Sequence, residues 1–188
     1  MRNEEVKIID FGWGNLEALR NFFEKNATSA EVLHYSKYLE LKPKGSVVII
    51  PGIGSANSFS RFNEETKEKI RDHFKHENKI VGICLGAHFL GNENAEGENK
   101  GLGILDFKTI SLSKNNLGYS DTKCGNEIFR IYYCHSYHMK HPCSCTNSSF
   151  IKGNICAYLK EEKYIAIQGH PEKSGKDGYK FLRMLLSD

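Results

Sequence analysis

The sequence predicts an α/β fold, with a mixed, mainly parallel central sheet flanked by helices and an antiparallel extension near the C-terminus. Two observations support this prediction. Up to residue 90, short apolar runs alternate with segments whose apolar residues recur every three or four positions, which is the pattern of strands joined by helical crossovers. Beyond residue 101, strand-like runs follow one another across turns, which favours antiparallel pairing. A length of 188 residues fits a single domain, residues 1–188.

Each predicted element has its own local signal. Apolar runs of the strand type occupy residues 6–11, 30–35, 46–50 and 79–84, and later residues 104–112, 128–137 and 155–168. Helices are predicted after Asn15 and Ser174, which can cap them, and between Asn63 and His76, where apolar residues lie on one side. We expect all three later strand runs to extend the same central sheet.

The charge and hydropathy of the chain exclude several classes of function. Its 26 basic and 23 acidic residues leave a formal net charge of +3, and neither sign forms a long block of the kind that binds nucleic acid or anionic membranes. No run reaches the roughly 18 apolar residues that a membrane span requires, and the N-terminus is charged where a signal peptide is apolar. We therefore expect a cytoplasmic protein whose six cysteines are free thiols, metal ligands or nucleophiles.

One cysteine lies in a setting typical of a nucleophile. Cys84 is the centre of Gly82-Ile83-Cys84-Leu85-Gly86, between a predicted buried strand and a predicted helix. With serine in place of cysteine, this is the nucleophile elbow, in which the two glycines leave room for a tight, strained turn. The helix N-terminus favours the thiolate, which is the nucleophilic form. The alternative is an inert cysteine packed at the end of a strand.

A thiol nucleophile requires a base and a group that orients the base. The motif Gly169-His170-Pro171-Glu172 follows a predicted strand and offers both. Pro171 favours an extended backbone at His170, so the side chains of His170 and Glu172 point the same way. Glu172 can then hold one nitrogen of the His170 ring while the other faces Cys84. The alternative is a solvated surface turn.

Two glycines mark a candidate oxyanion hole. Gly52 and Gly54 follow the strand run at residues 46–50, and the carboxyl ends of parallel strands are where such sheets gather their sites. Without side chains, the backbone there can approach a ligand closely. An N–H group from this loop and that of Leu85, directly after the nucleophile, can stabilise an oxyanion. A plain turn is the alternative.

Six segments spread over most of the chain occur in an order typical of one enzyme family. They are IIDFGWGNLEALRNFF, VVIIPGIGSANSF, VGICLGAHFLG, GLGIL, YYCHSYHM and IQGHPEKSGKDG. In this order the chain resembles class I glutamine amidotransferases, and among them the glutaminase subunits of imidazole glycerol phosphate synthases. The resemblance implies the flavodoxin-like α/β fold of that class and no cofactor.

The resemblance also implies an activity and a site. It implies that a triad of Cys84, His170 and Glu172 attacks the side-chain amide of glutamine and hydrolyses it to glutamate and ammonia. In the family the ammonia passes to a synthase subunit, for which a cyclase-type barrel of histidine biosynthesis is favoured here. The family's oxyanion and glutamine-binding positions fall on Gly52, Gly54, Leu85, His88, Ser136 and Tyr137.

The chain departs from the family pattern at three places. Relatives usually have Met-Gln after the elbow glycine, whereas this chain has Ala87-His88, so we expect glutamine binding to be weaker or to depend on pH. Gly169 replaces a phenylalanine that packs beside the base. Residues 115–120 occupy a stretch near the synthase interface, and there only the glycine is kept, which affects the partner more than the chemistry.

Three alternatives remain open at this stage. In the first, the partner is a synthetase that builds amino or amidino sugars of bacterial surface glycans. The changed docking residues would suit such a partner. A free-standing cysteine hydrolase of the γ-glutamyl type is another reading, against which the compact length argues. The last is a non-catalytic binding subunit that has lost the capture of glutamine through His88.

For two further motifs, we favour an interpretation that involves no ligand. Residues 134–145, CHSYHMKHPCSC, are rich in zinc-type ligands, but their spacing matches no standard C-x₂-C pairing, so we expect no metal. Gly12-Trp13-Gly14 lacks the third glycine of the dinucleotide fingerprint and is not read as a nucleotide site. Trp13 itself is interpreted as a buried aromatic residue or as an exposed partner contact.

Overall fold

A computed structural model describes residues 5–97, 99–140, 148–151 and 155–187. The strands are β1 (Val6–Asp10), β2 (Ala30–His34), β3 (Val47–Ile50), β4 (Lys79–Ile83), β5 (Glu93–Asn94), β6 (Asn99–Lys100), β7 (Lys108–Cys124), β8 (Glu127–Lys140), β9 (Ser148–Ile151), β10 (Ile155–Glu161) and β11 (Tyr164–Ile167). The helices are α1 (Leu16–Glu24), α2 (Tyr35–Glu40), α3 (Glu64–Lys75), α4 (Leu85–Leu90) and α5 (Gly175–Leu186), with 3₁₀ turns at Ala56–Arg61 and Pro171–Lys173.

The central sheet has the mixed, mainly parallel order that the sequence predicts. Its strands lie in the order β2-β1-β3-β4-β11-β10-β9. Strands β1 to β4 and β11 run parallel to one another, while β10 and β9 form the antiparallel extension next to β11. The alternation of strand and helix before residue 90 therefore produced the expected crossovers between parallel strands.

The expectation that all later strands extend this sheet is wrong for two of the three runs. Residues 104–112 and 128–137 fall in or near β7 and β8, which form a separate four-stranded sheet in the order β6-β5-β7-β8. Buried and exposed residues alternate along much of β7 and β8, so these strands pack on the molecule by one face only. The run 155–168 does join the central sheet, but as a hairpin that turns at Glu162, where φ is +51°.

Polar caps begin the first and third helices. The side-chain oxygen of Asn15 accepts a hydrogen bond from the N–H of Ala18 at 2.9 Å, which confirms the predicted cap of α1. Asn63 does the same for the N–H of Thr66 at the start of α3. The prediction for Ser174 is wrong in one respect, because it occupies the cap position of α5 but its hydroxyl makes no capping bond.

Alternate residues of the central strands face two separate layers of the core. In β3, Val47 and Ile49 pack with α1 and α5 residues such as Phe23 and Leu182, whereas Val48 and Ile50 pack on the opposite side. Helices therefore cover both faces of the sheet, as buried parallel strands require. Among the described residues, no helix is long and apolar enough to cross a bilayer.

The topology gathers the candidate residues at one edge of the central sheet. Strands β1, β3, β4 and β11 run in the same direction, so their carboxyl ends meet. The chain segments that leave these ends are residues 11–15, 51–54, 84–86 and 168–174. This edge is where ligands bind in open α/β sheets.

Candidate active site

Cys84 lies on the strained turn that its flanking glycines predict. It follows β4 directly and has φ of +49° and ψ of −106°, a conformation that non-glycine residues rarely adopt. A Cβ atom on Gly82 would lie 2.4 Å from the carbonyl oxygen of Gly86, and one on Gly86 would lie 2.2 Å from that of Ile50. Both glycines are therefore required by close backbone contacts, and the turn leaves Cys84 8% exposed.

His170 and Glu172 form a buried hydrogen-bonded pair beside this turn. The Nδ1 atom of His170 lies 2.8 Å from Oε1 of Glu172, and their side chains are 2% and 4% exposed. Burial by itself lowers the pKa of His170, but hydrogen bonds and charges from Cys84 and Glu172 outweigh burial and raise the pKa to about 10. Because Nδ1 is bound to Glu172, the ring interacts with the Cys84 thiol through Nε2. An imidazolium there stabilises a thiolate.

The backbone around His170 is held by a second set of hydrogen bonds. Its N–H donates to the carbonyl oxygen of Tyr132 at 2.8 Å, which ties the loop after β11 to β8. The hydroxyl of Ser174 donates to the carbonyl oxygen of His170 at 2.7 Å and accepts from the N–H of Tyr132 at 2.9 Å. The Ser174 hydroxyl therefore fixes the base, which explains why it does not cap α5.

The loop with Gly52 and Gly54 packs directly against the elbow. A Cβ atom on Gly52 would lie 1.6 Å from the carbonyl oxygen of Ile83 and 2.5 Å from the nitrogen of Leu85. A Cβ atom on Gly54 would lie 3.2 Å from Cδ2 of Leu85. Within the described part of the chain, the N–H groups of Gly52, Gly54 and Leu85 donate to no protein acceptor. The backbone of Gly52 is thus close to the nitrogen of Leu85, and Gly54 lies beside the Leu85 side chain.

His88 lies in the interior, bound to a neighbouring side chain. Its Nε2 atom is 3.1 Å from Oε1 of Gln168, and that oxygen also accepts the N–H of Met139 at 3.1 Å. Burial lowers the pKa of His88 to about 4, so the ring is neutral near pH 7. Since Gln168 offers an oxygen, Nε2 carries the proton and Nδ1 is left as an acceptor. The glutamine-binding role of His88 stays a prediction.

Ser136 and Tyr137 both lie on β8, four to five residues beyond the contact of Tyr132 with His170. Ser136 is exposed and Tyr137 is half-buried. The carbonyl oxygen of Tyr137 lies 2.9 Å from Nδ1 of His135. Their predicted part in glutamine binding has no further support in these contacts and also stays a prediction.

The segment 115–120 runs along β7 beside the base. Leu117 and Tyr119 are 71% and 51% exposed, although both are large and apolar in part. The hydroxyl of Tyr119 donates to the carbonyl oxygen of Lys173 at 3.2 Å, and its ring packs on that of Tyr132, with centroids 5.3 Å apart. The stretch that departs most from the family is thus in contact with the loop that carries Glu172.

The missing phenylalanine at position 169 has a structural explanation. A Cβ atom on Gly169 would lie 2.6 Å from Cγ2 of Ile131 and 3.0 Å from Cε1 of Tyr133. Tyr133 is buried and shares a 2.7 Å hydrogen bond between its hydroxyl and that of Thr122. Side chains of β8 therefore fill the space beside the base, and only glycine fits there.

Several residues that position the site were not predicted. Gln168 carries no signal of its own within its motif, yet it is fully buried and joins His88 to β8. Tyr132 and Ser174 hold His170. The spacing of Gln168 and Tyr132 carries no signal, because they act through contacts between distant parts of the chain, and the contact of Ser174 with Tyr132 is of the same kind. The motif at residues 134–145 lies partly outside the described residues, and within the described residues no group of three or more metal-type ligands is found.

The fold and the elbow cysteine with its buried His-Glu pair define a class of protein. The family described as glutamine amidotransferase class-I matches residues 7–186, and this chain belongs to it. The protein is accordingly a glutamine amidotransferase enzyme.

Curated relatives are similar over nearly their whole length. Imidazole glycerol phosphate synthase subunit HisH 2 of Methanococcus maripaludis is 27% identical over 209 aligned positions, covering 96% of this chain and 98% of the relative. Subunit HisH of Prochlorococcus marinus is 29% identical over 203 positions, covering 98% of this chain and 94% of the relative. Subunit HisH of Staphylococcus epidermidis is 26% identical over 189 positions and 96% of each chain.

Solved structures support the fold. The crystal structure of a glutamine amidotransferase superposes with a TM-score of 0.73 at 14% identity, covering 97% of this chain and 99% of that one. A glutamine amidotransferase from Thermotoga maritima gives a TM-score of 0.62 at 16% identity, covering 97% of this chain and 88% of that one. At these identities the likeness concerns the fold alone.

Proposed function

We propose that this protein is a glutaminase subunit that hydrolyses L-glutamine through Cys84, His170 and Glu172 and delivers ammonia to a synthase partner. The observation that carries the proposal is the buried His170–Glu172 pair, 2.8 Å apart, whose ring interacts with a cysteine on a strained elbow. A structural cysteine needs neither feature. The similarity to HisH subunits favours a cyclase-type partner and a place in histidine biosynthesis.

In the proposed chemistry, His170 transfers the proton in both halves of the reaction. The Cys84 thiolate attacks the amide carbon of glutamine, and the carbonyl oxygen becomes an oxyanion. This oxyanion accepts hydrogen bonds from the N–H groups of Leu85 and the Gly52–Gly54 loop. His170 then donates its proton to the departing nitrogen, which leaves as ammonia. Water attacks the thioester while His170 accepts a proton, and glutamate is released. Glu172 keeps the ring oriented and stabilises its charged form.

The surface beside the triad supports a partner that receives the ammonia there. Leu117 and Tyr119 are exposed, and Tyr119 contacts the backbone of Lys173, next to Glu172. Aromatic residues are enriched at protein interfaces. We therefore propose that the synthase subunit docks over β7 and the loop after β11, which would enclose the site of ammonia release.

The central test separates glutamine hydrolysis from synthesis. In the complex, Cys84→Ala is expected to reduce glutamine-dependent synthesis by a factor of 10³ or more, on the order of the loss when a nucleophile is removed. Synthesis driven by added ammonia should stay within about twofold of the wild type, since that route bypasses the thiol. Cys156→Ala, which makes the same change at a buried cysteine of β10, is the matched control and should alter neither activity.

The outcome that contradicts the proposal is loss of both activities in a folded Cys84→Ala complex, or normal glutamine hydrolysis by that variant. The partner is tested separately by adding a cyclase-type barrel subunit, which should bind the protein and increase its glutaminase rate. No binding to that subunit would remove the assignment to histidine biosynthesis while leaving the glutaminase chemistry in place.

A further inference from the structure

Trp13 is buried at the edge of the candidate site rather than exposed to a partner. It is 6% exposed, and its ring packs on those of Phe59 and Phe89, with centroids 5.3 and 5.2 Å away. Its indole Nε1–H donates a buried hydrogen bond of 2.9 Å to the carbonyl oxygen of Pro51. The indole of Trp13 therefore donates to the first residue of the loop that carries Gly52 and Gly54.

The next residue makes a second bond to the same loop. The N–H of Gly14 donates to the carbonyl oxygen of Ile53 at 2.9 Å. A Cβ atom on Gly14 would lie 2.5 Å from Cβ of Pro51, so only glycine allows this approach. Two carbonyl groups of the loop, two residues apart, are thus held by the adjacent residues Trp13 and Gly14.

These two bonds fix which way the loop's amide donors point. Peptide bonds are planar, and all those described are trans, so each N–H is opposite the carbonyl of the preceding residue. With the carbonyls of Pro51 and Ile53 turned toward Trp13 and Gly14, the N–H groups of residues 52 and 54 turn to the other side. The elbow packs on this loop too, since a Cβ at position 52 would lie 2.5 Å from the nitrogen of Leu85.

We infer that Trp13 is a positioning residue, whose indole N–H holds the Pro51 peptide so that the loop's amide donors can stabilise the oxyanion. The inference rests on the proposed function, because the oxyanion hole is part of it. Donors that are fixed in advance need no reorganisation during the reaction. Without the indole donor, the buried Pro51 carbonyl is unpaired and its peptide can rotate.

The test replaces Trp13 with 3-benzothienylalanine, in which sulfur takes the place of the N–H while the fused ring is kept. Both proteins carry Cys134→Ser to remove an exposed thiol, and reaction at Cys84 is followed by the mass of its peptide. Two reagents are compared. p-Nitrophenyl acetate acylates the thiolate through a tetrahedral oxyanion and releases p-nitrophenolate, whereas iodoacetamide alkylates it by direct displacement of iodide, with no oxyanion.

Replacing the donor should slow acylation by the ester, and glutamine hydrolysis with it, by roughly tenfold, part of the loss known for removing a whole oxyanion donor. Alkylation by iodoacetamide should stay within about twofold, because thiolate reactivity is unaffected. Phe59→Leu disturbs the same aromatic cluster without touching the hydrogen bond, and should leave the ratio of the two rates unchanged.

Two results would overturn the inference: equal loss of acylation and alkylation, which indicates a general structural effect, or no loss of either. The proposed function is judged by a different result. If the wild-type protein in its complex fails to hydrolyse glutamine while ester acylation still depends on the indole donor, then the role of Trp13 stands and the glutaminase assignment falls.

Discussion

In the candidate triad, each side chain is held or oriented by its neighbours. Cys84 is held at a positive φ by the glycines around it, and Glu172 binds the far nitrogen of His170. Against the lowering effect of burial, hydrogen bonds and charges from Cys84 and Glu172 raise the pKa of His170 to about 10, so these neighbours favour the charged form of the ring. The departure at position 88 bears on the predicted glutamine-binding role of His88, and it leads to a testable difference in glutamine binding.

His88→Gln is expected to lower the KM for glutamine by about fivefold, the equivalent of one ordinary hydrogen bond. The neutral imidazole uses its only N–H on Gln168, so it can offer glutamine an acceptor but no donor. A glutamine side chain has two donors and an acceptor. Steady-state kinetics at pH 7.5, at saturating partner subunit, measure the change, and kcat should stay within about twofold.

The matched control for this variant is His138→Gln. His138 is another buried histidine, but its Nδ1 atom lies 3.1 Å from the main-chain oxygen of Met139. Its replacement should leave KM unchanged. An unchanged or higher KM in His88→Gln, with normal folding, would show that position 88 does not contact the substrate.

At the scale of elements, the site depends on short turns that strands and helices hold in place. The elbow between β4 and α4 is closed by main-chain contacts at Gly82 and Gly86. The loop after β3 is held between that elbow and the turn after β1. Such contacts come from backbone atoms alone, so a single methyl group is enough to disturb them.

Gly86→Ala should reduce the free energy of unfolding by about 3 kcal/mol, the upper part of the usual range for overpacking. The added Cβ would lie 2.2 Å from the carbonyl oxygen of Ile50, and main chain cannot move aside as a flexible side chain can. Gly175→Ala is the comparison, because its φ is +57° but no atom lies within 4 Å of the added Cβ. Its cost should be only about 1 kcal/mol, from the left-handed conformation.

Urea unfolding followed by circular dichroism measures both variants. Equal losses would mean that the contact of Gly86 with the end of β3 costs no more than the positive φ costs at Gly175. A loss in Gly86→Ala below that of Gly175→Ala would contradict the close packing of the elbow on the end of β3.

At the scale of the whole molecule, the sequence predicted what local patterns encode. The parallel strands, the cap of α1 at Asn15, and the strand, turn and helix around Cys84 follow from residue spacing alone. The separate sheet of β7 and β8 was not predicted, because pairing between distant strands depends on which faces become buried. The bonds that join Tyr132 to His170 and Ser174, and Gln168 to His88 and Met139, were missed for the same reason, since each joins segments far apart in sequence.

Buried neutral histidines make the stability of the folded protein sensitive to acid. Burial lowers the pKa of His88 and of His135 to about 4, whereas an unfolded histidine titrates near 6.5. Between these values the unfolded chain binds protons that the folded protein does not. The contribution of each histidine is thus fully present above pH 6.5 and is lost as pH falls toward 4, at about 1.4 kcal/mol per pH unit.

His88→Gln should therefore be less sensitive to acid than the wild type. The difference in free energy of unfolding between the two proteins should shift by about 3 kcal/mol in favour of the variant from pH 7 to pH 4. Urea unfolding at intervals of half a pH unit measures it, with His34→Gln, at an exposed position of β2, as the control for loss of an imidazole. Parallel curves for wild type and His88→Gln would mean that His88 takes up its proton in the folded state as readily as in the unfolded one, which requires water or a carboxylate to reach the ring inside the core.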